Sequence, residues 1–270
     1  MNYILIDGSY FIFYRYYALM MWWKHVNKDN ELGEPHENTI FNEKFKTTFS
    51  TKINEFIRKL KIDNPIILVG KDCPRNEIWR KELYPEYKDN REHKHQHIGD
   101  MFKMTYQEEL FEKAGAKKVL NYNSLEADDC LALTTKYILE KNPESHIWII
   151  TSDMDYLQLA SDKVSLFDLK LKDLTKSKNC TGISECDKFC KIICGDKSDN
   201  IKPVIKRCGM KTAIKYFNNK ELFERKIEEN KLQEQYNLNK TLIDFNEIPS
   251  NLVEGFYSKY SIVLYEYLLL

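Results

Sequence analysis

The chain has no apolar run long enough to cross a membrane. Its most apolar stretch, residues 10–23, falls short of the roughly 20 residues a span needs and is interrupted by Arg15. No signal-peptide pattern precedes the first strand-like run, so a soluble, cytoplasmic protein with no membrane partner is expected. Neither charge sign is in excess, with 41 Lys plus Arg against 41 Asp plus Glu. A neutral total excludes no partner class, because local segregation of charge decides what is attracted. A disulfide framework is also missing. The seven cysteines, Cys73, Cys130, Cys180, Cys186, Cys190, Cys194 and Cys208, are odd in number and irregularly spaced, as expected of reduced thiols. Cys186, Cys190 and Cys194 would align on a helix. No paired His or close Cys couple completes a tetrahedral zinc set, so a packing face is expected there. There is no Gly-x-x-x-x-Gly-Lys phosphate loop, which argues against a nucleoside triphosphatase. No Ser-His-Asp or Cys-His arrangement offers a nucleophile, and no internal repeat is evident.

What is present is an alternation of strand and helix patterns. Tyr3-Ile4-Leu5-Ile6, Ile66-Ile67-Leu68-Val69, a short piece opening at Val119, Ile147-Trp148-Ile149-Ile150 and Val164-Ser165-Leu166-Phe167 read as strands. Helical patterns occupy residues 10–23, 42–60, 105–114 and 126–140. This β-α-β rhythm predicts an α/β fold with a mainly parallel central sheet and helices on both faces. After about Cys180 the chain turns helical and polar. We therefore expect a core over residues 1–180 and a helical appendage over 181–270. A chain of 270 residues can bury such a core without staples. The least regular stretch, 75–101, carries His93, His95 and His97, whose alternate spacing shares no helix face. It reads as a solvated, mobile segment of the kind that gates active sites.

Acids follow the strands. Asp7 ends the first run, Asp72 follows the second, and Asp153 and Asp155 follow Ile147–Ile150 within Thr151-Ser152-Asp153-Met154-Asp155. Carboxylates at the ends of parallel strands converge on one crevice. Glu126, Asp128 and Asp129 open a helix. Capping explains one or two acids there but not three. Gly195-Asp196-Lys197-Ser198-Asp199 alone is an ordinary polar turn, and gains meaning only from this company. Convergent carboxylates repel unless multivalent cations neutralise them. The set Asp7, Asp72, Glu126, Asp128, Asp129, Asp153, Asp155, Asp196 and Asp199 is large enough for two Mg²⁺ ions, with Mn²⁺ able to substitute. That chemistry points to a metal-dependent enzyme acting on phosphates.

Two basic elements accompany the acids. Arg75, Arg80, Lys81, Lys88, Arg91 and Lys94 are spaced along expected helical turns, but Glu77, Glu82, Glu86 and Glu92 interleave with them. They fit either a grip on a threaded strand or a solvated charged helix. By contrast, residues 201–219 hold Lys202, Lys206, Arg207, Lys211 and Lys215 with no acid, around Cys208-Gly209-Met210-Lys211-Thr212. A glycine-led turn opening a basic helix suits a duplex backbone contact without sequence readout.

Taken in order, these residues resemble the 5′-nuclease superfamily. It comprises flap endonucleases, the 5′→3′ exonuclease domains of bacterial DNA polymerases and phage 5′-nucleases, and shares its fold core with PIN domains. The matched elements are Asp7, Asp72 with Trp79-Arg80 and Tyr87-Lys88…Arg91, Glu126-Ala127-Asp128-Asp129, Ser152-Asp153…Asp155, and Gly195-Asp196…Asp199-Asn200. The C-terminal Leu242-Ile243-Asp244-Phe245-Asn246-Glu247-Ile248-Pro249 resembles the ribonuclease H branch of T-even phages. The resemblance implies removal of RNA primers and DNA flaps from 5′ ends in replication, in the host cytoplasm if phage-encoded. It implies that Asp7, Asp72, Glu126, Asp128 and Asp129 serve one metal region, and Asp153, Asp155, Asp196 and Asp199 the other. Arg80, Lys88 and Arg91 would be catalytic cations of a helical gateway over about 75–105. Lys202, Lys206, Arg207, Gly209, Lys211, Thr212 and Lys215 would hold duplex DNA in a helix–turn–helix variant. Two residues depart from the family pattern. Arg207 stands where the duplex-binding turn usually has a first glycine, and Lys71 precedes Asp72 where the family tends to be apolar.

The expected activity is therefore a structure-selective 5′→3′ nuclease acting on DNA and RNA–DNA duplexes with 5′ flaps or ends. It would be a monomer, with replication proteins such as a single-strand binding protein or clamp as further partners. Two alternatives stay open: a PIN-type ribonuclease, and a non-catalytic DNA-junction binding protein.

Overall fold

Four consecutive apolar residues are what a strand buried on both faces requires, and Tyr3-Ile4-Leu5-Ile6 forms the centre of the sheet in the computed structural model, which describes residues 1–27, 32–91 and 98–268. Strands β1 (Asn2–Asp7), β2 (Ile66–Gly70), β3 (Lys118–Leu120), β4 (His146–Ile150) and β5 (Val164–Phe167) are all parallel, in the order β3-β2-β1-β4-β5. The chain winds outward from β1 in one direction and then in the other. The ends of β1 and β4 thus flank the point where strand order reverses, the usual crevice of an open α/β sheet.

Side chains alternate across the sheet. Tyr3 and Leu5 pack with Leu68, Ile147 and Leu166 under α6 (Ala127–Lys141) and α11 (Ser250–Tyr267). Ile4 and Ile6 pack with Ile67, Val69 and Ile150 against α1 (Gly8–Val26), α2 (Thr39–Leu60), α4 (Ile98–Gln107) and α5 (Leu110–Lys113). Helix α2 carries Phe41, Phe45, Phe49, Ile53 and Phe56 on one buried stripe. At about 1.5–3 kcal/mol per buried side chain, this stripe outweighs any helix propensity. Most aromatics of α1 serve the core. Phe11 lies edge-on to Phe49 at 4.8 Å, and Phe13 packs on Phe102 at 5.1 Å.

The expected helix over 105–114 is two pieces. α4 ends at Gln107, Glu109 takes a left-handed conformation at φ 54°, and α5 restarts at Leu110. The expected gateway over about 75–105 is broken up among the described residues, with the start of α4 covering its end. α3 (Arg80–Leu83) is a single turn and residues 85–90 are turns, with Lys88 at φ 58°. His93, Lys94, His95 and His97 lie outside the described residues.

The C-terminal region is helical. It comprises α7 (Ser184–Cys194), α8 (Met210–Asn218), α9 (Lys220–Glu229), α10 (Gln233–Ile243) and α11. The side-chain amide of buried Asn239 on α10 donates to the carbonyls of Ile192 and Lys202, both at 2.8 Å, pinning α10 to α7 and to the basic turn. Cys186 and Cys190 are buried packing residues, and all seven cysteines are free. Among the described residues, no helix is long and apolar enough to cross a membrane.

Candidate metal centre and nucleic-acid interface

Asp7 is the last residue of β1 and caps α1, its Oδ1 accepting from Tyr10 N–H at 3.0 Å. Its Oδ2 accepts from the Thr151 hydroxyl at 3.1 Å, and the same hydroxyl oxygen accepts from Asp153 N–H at 3.1 Å. Thr151 therefore couples the acids of neighbouring strand ends. Across β2, Asp72 accepts from Ala127 N–H at 2.8 Å and from the Ser9 hydroxyl. Lys71 does not disturb this placement, because its ammonium turns onto the Tyr106 ring at 4.3 Å. Gly70 admits the start of α6 to the end of β2. A Cβ there would meet the Ala127 carbonyl at 2.7 Å and Leu131 at 2.8 Å.

The acids at the head of α6 divide by role. Glu126 and Asp129 form a capping box with each other's backbone. Both are buried, and both are gripped by Arg80, itself only 2% exposed. Arg80 donates to Glu126 at 3.0 Å, to both Asp129 oxygens at 2.8 and 2.7 Å, and to the Leu242 carbonyl at 2.8 Å. The Trp79 indole N–H adds a bond to Asp129 at 3.0 Å. Arg80 is therefore a buried clamp on carboxylates and not a gateway cation offered to a strand. The apolar Trp79 beside it signalled a core position, a hint that its sequence setting among charges concealed. Asp129 is the anchor of that clamp, while Asp128 stands half-buried with Oδ1 accepting from Asp129 N–H at 2.7 Å.

Lys88 reaches Glu126 at 2.6 Å and Asp199 at 3.5 Å, bridging two groups of acids. Arg91 binds Asp199, and the Tyr87 hydroxyl lies 3.1 Å from a Glu126 oxygen and 3.2 Å from an Asp199 oxygen, its single proton available to either. On the far side, the Lys191 ammonium contacts Asp155 and lies 2.8 Å from Asp196. Ser9, Thr151 and Lys191 were not singled out in the sequence. The two hydroxyls look like ordinary turn residues, and Lys191 lies within a helix of mixed charge.

The carboxylates Glu126, Asp128 and Asp129 form one group whose oxygens lie within 4.8 Å of one another, and Asp155, Asp196 and Asp199 form another. Asp7, Asp72, Asp128 and Asp153 have no lysine or arginine ion pair among the described residues. Burial, then the charges of Asp72 and Asp153, push the Asp7 carboxyl up to about 7. Burial and the adjoining Asp129 and Glu126 push Asp128 well up. The buried Tyr156 phenol reports the same convergence, raised first by burial and then by Asp7, Asp128, Asp153 and Asp72 together. Asp196 behaves oppositely. Burial acts to raise it, but Lys191 and the Ser198 donors outweigh that and hold it at about 2. Uncompensated acids in one place are what a hard cation with oxygen ligands neutralises, so the donor set fits divalent metal.

The basic turn lies on the surface. Lys202, Lys206, Arg207, Gly209, Lys211, Thr212 and Lys215 are all exposed. Of the cations among them, only Lys202 pairs with a carboxylate among the described residues, Glu86 at 3.2 Å. Arg207 takes φ 60°, the left-handed conformation that glycine favours. An added Cβ at Gly209 meets open space, so nothing within the protein demands glycine there.

Comparison with known proteins gives three kinds of likeness. The family model described as 5′-3′ exonuclease, N-terminal resolvase-like domain, matches residues 2–187. The flap endonuclease of Escherichia phage T5 is 27% identical over 174 residues, covering 59% of this chain and 57% of that protein. The ribonuclease H of Enterobacteria phage T4 is 32% identical over 160 residues, covering 53% of this chain and 50% of that protein. The chain thus spans little more than half the length of these two relatives. A solved structure of the phage T5 D15 flap endonuclease, as a pseudo-enzyme–product complex with DNA and metal ions, aligns with a TM-score of 0.68 at 20% identity. It covers 98% of this chain and 99% of that one. The narrower expectation of a T-even ribonuclease H is not singled out, since that protein is one relative among several of comparable identity.

Proposed function

This chain belongs to the 5′-3′ exonuclease family, and from that premise we propose that it is a divalent-metal-dependent, structure-selective 5′ nuclease. Its substrates are DNA and RNA–DNA duplexes with 5′ flaps or ends, and its products carry 5′ phosphates. The observation that carries this reading is the set Asp7, Asp72, Asp128 and Asp153, drawn from three strand ends and one helix start and without a cation partner among the described residues, together with the carboxylate groups Glu126–Asp128–Asp129 and Asp155–Asp196–Asp199.

The acids of this set and of the two groups would hold two Mg²⁺, or Mn²⁺ in their place. When bound, such ions make water a competent nucleophile near neutral pH and offset charge on the leaving oxygen. The chain's own residues do the rest. Ser9 and Thr151 fix the directions of Asp72 and Asp7 through neutral hydrogen bonds. Arg80 fixes Glu126 from behind. Lys88 and Arg91, paired with Glu126 and Asp199, would be the cations that meet a phosphate entering the acid cluster. Lys202, Lys206, Arg207, Lys211 and Lys215, with Gly209 and Thr212, would take phosphates of the duplex without reading sequence.

The test is cleavage of an end-labelled 5′-flap duplex across a Mg²⁺ titration, beside a single-stranded RNA of equal length. Metal-dependent release of short 5′ products from the flap is expected. Cleavage of the RNA alone would favour a PIN-type ribonuclease, and flap binding without cleavage would favour a junction-binding protein.

A further inference from the structure

We propose that Lys191 is a built-in counter-ion of the Asp155–Asp196–Asp199 group, so that a divalent ion entering there must displace its ammonium and the two cation positions fill unequally. This rests on the metal-dependent reading above.

Lys191 lies in the last turn of α7, which packs against the turn Met154–Leu159 that carries Asp155. The helix ends at Gly195, whose N–H donates to the Lys191 carbonyl at 2.9 Å. At φ 68°, and with the Ile201 carbonyl 2.5 Å from where a Cβ would stand, Gly195 folds the chain sharply back. Asp196 then pairs with Ile201 through two backbone bonds of 3.0 and 2.7 Å, which leave its carboxylate facing Lys191. The ammonium contacts Asp155 and Asp196 at once, and these acids and Asp199 offer oxygens within 4.8 Å of one another. An ammonium and a divalent ion cannot share that space. A +1 charge held between two carboxylates must be pulled away before a +2 charge gains them, and this cost subtracts from the ion's affinity. No lysine or arginine stands in the same relation to Asp7, Asp72 and Asp153 among the described residues. A divalent ion taken up by Asp7, Asp72 and Asp153 therefore displaces no ammonium from those three carboxylates.

Two measurements on the full chain test this. Calorimetric titration with Mn²⁺ should resolve a tight and a weak class of site. Lys191→Met should tighten the weak class by about tenfold or more, the scale of removing one charge interaction near a surface, and leave the tight class unchanged. Lys191→Arg should keep the weak class weak. For the unsubstituted protein, reductive methylation read by mass spectrometry should proceed several-fold faster at Lys191 when Ca²⁺ saturates the weak class. Lys188, held by Asp244 at 3.2 Å, serves as the internal control. Identical Mn²⁺ isotherms for the parent and Lys191→Met would overturn the proposal, as would Lys191 methylation indifferent to Ca²⁺ while two ions bind. If no divalent ion binds either protein, the nuclease reading itself fails and takes this inference with it.

Discussion

Arg80 holds Asp129 in a two-pronged grip, Nη1 to Oδ2 at 2.8 Å and Nη2 to Oδ1 at 2.7 Å, with both side chains removed from water. A fork-to-fork pair of this kind is a positioning device. It sets the first turn of α6, and with it the directions of Glu126 and Asp128.

Removing one partner of a buried pair leaves the other charged and unsolvated. Arg80→Ala should therefore destabilise the fold by about 3–5 kcal/mol, read as a lower midpoint in urea. Arg80→Lys cannot reproduce the fork and should recover only part of that loss. A surface gateway cation would show neither effect.

Asp153→Asn removes a charge from the acids without a cation partner but touches no group expected on a phosphate. Cleavage should fall to background while flap-DNA affinity, measured by anisotropy in Ca²⁺, stays within about threefold, a difference under 1 kcal/mol. Equal loss of both would remove Asp153 from the metal-holding role.

The Asp7 carboxyl, raised to about 7, gives the metal-free protein a definite pH dependence. Its folded-state pKa lies above the unfolded value of about 3.9, so the native state holds the extra proton across that window. Stability from this group is present below the window and is lost as pH rises through about 7. Divalent ions compete with the same proton, so their apparent affinity should climb from pH 5.5 to 7.5 and level off above. Calorimetry in buffers of different ionisation enthalpy would count the protons released. Asp7→Asn should flatten the slope.

The basic turn makes a two-part prediction. Lys211→Ala should weaken duplex binding modestly and lower the salt slope by about one. Arg207→Gly should lower the slope similarly. It should also stabilise the turn by about 1 kcal/mol, because the left-handed conformation costs a side-chain-bearing residue about that much. A melt that moves downward would show that Arg207 contributes more through contacts than its backbone costs.

The sequence was most legible where burial is one-sided or complete. β1, β2, β4 and β5 follow directly from their apolar runs, because a parallel strand covered on both faces needs nothing else. The acids at the ends of β1, β2 and β4 were legible for the same reason, since strand direction fixes which end carries them. Arg80 was read as a gateway cation because Lys81 and Glu82 follow it in a charged stretch, while the fold closes Glu126, Asp129 and the Leu242 carbonyl around it. The break at Glu109 and the turns over 85–90 depend on left-handed residues that are not glycine, and composition does not announce these. Lys191 was invisible because its importance lies in Asp155 and Asp196, which reach it from the end of a strand and from a turn beyond α7.

The bond from Arg80 Nε to the Leu242 carbonyl joins the acid-bearing start of α6 to the end of α10. Proteolysis or truncation that removed the last helices would strip a donor's partner from the middle of the acid cluster and uncover the sheet face beneath α11. The start of α6 and the carboxy-terminal helices are thus tied together, and an isolated amino-terminal fragment should lose the order of its acid cluster before it loses its strands.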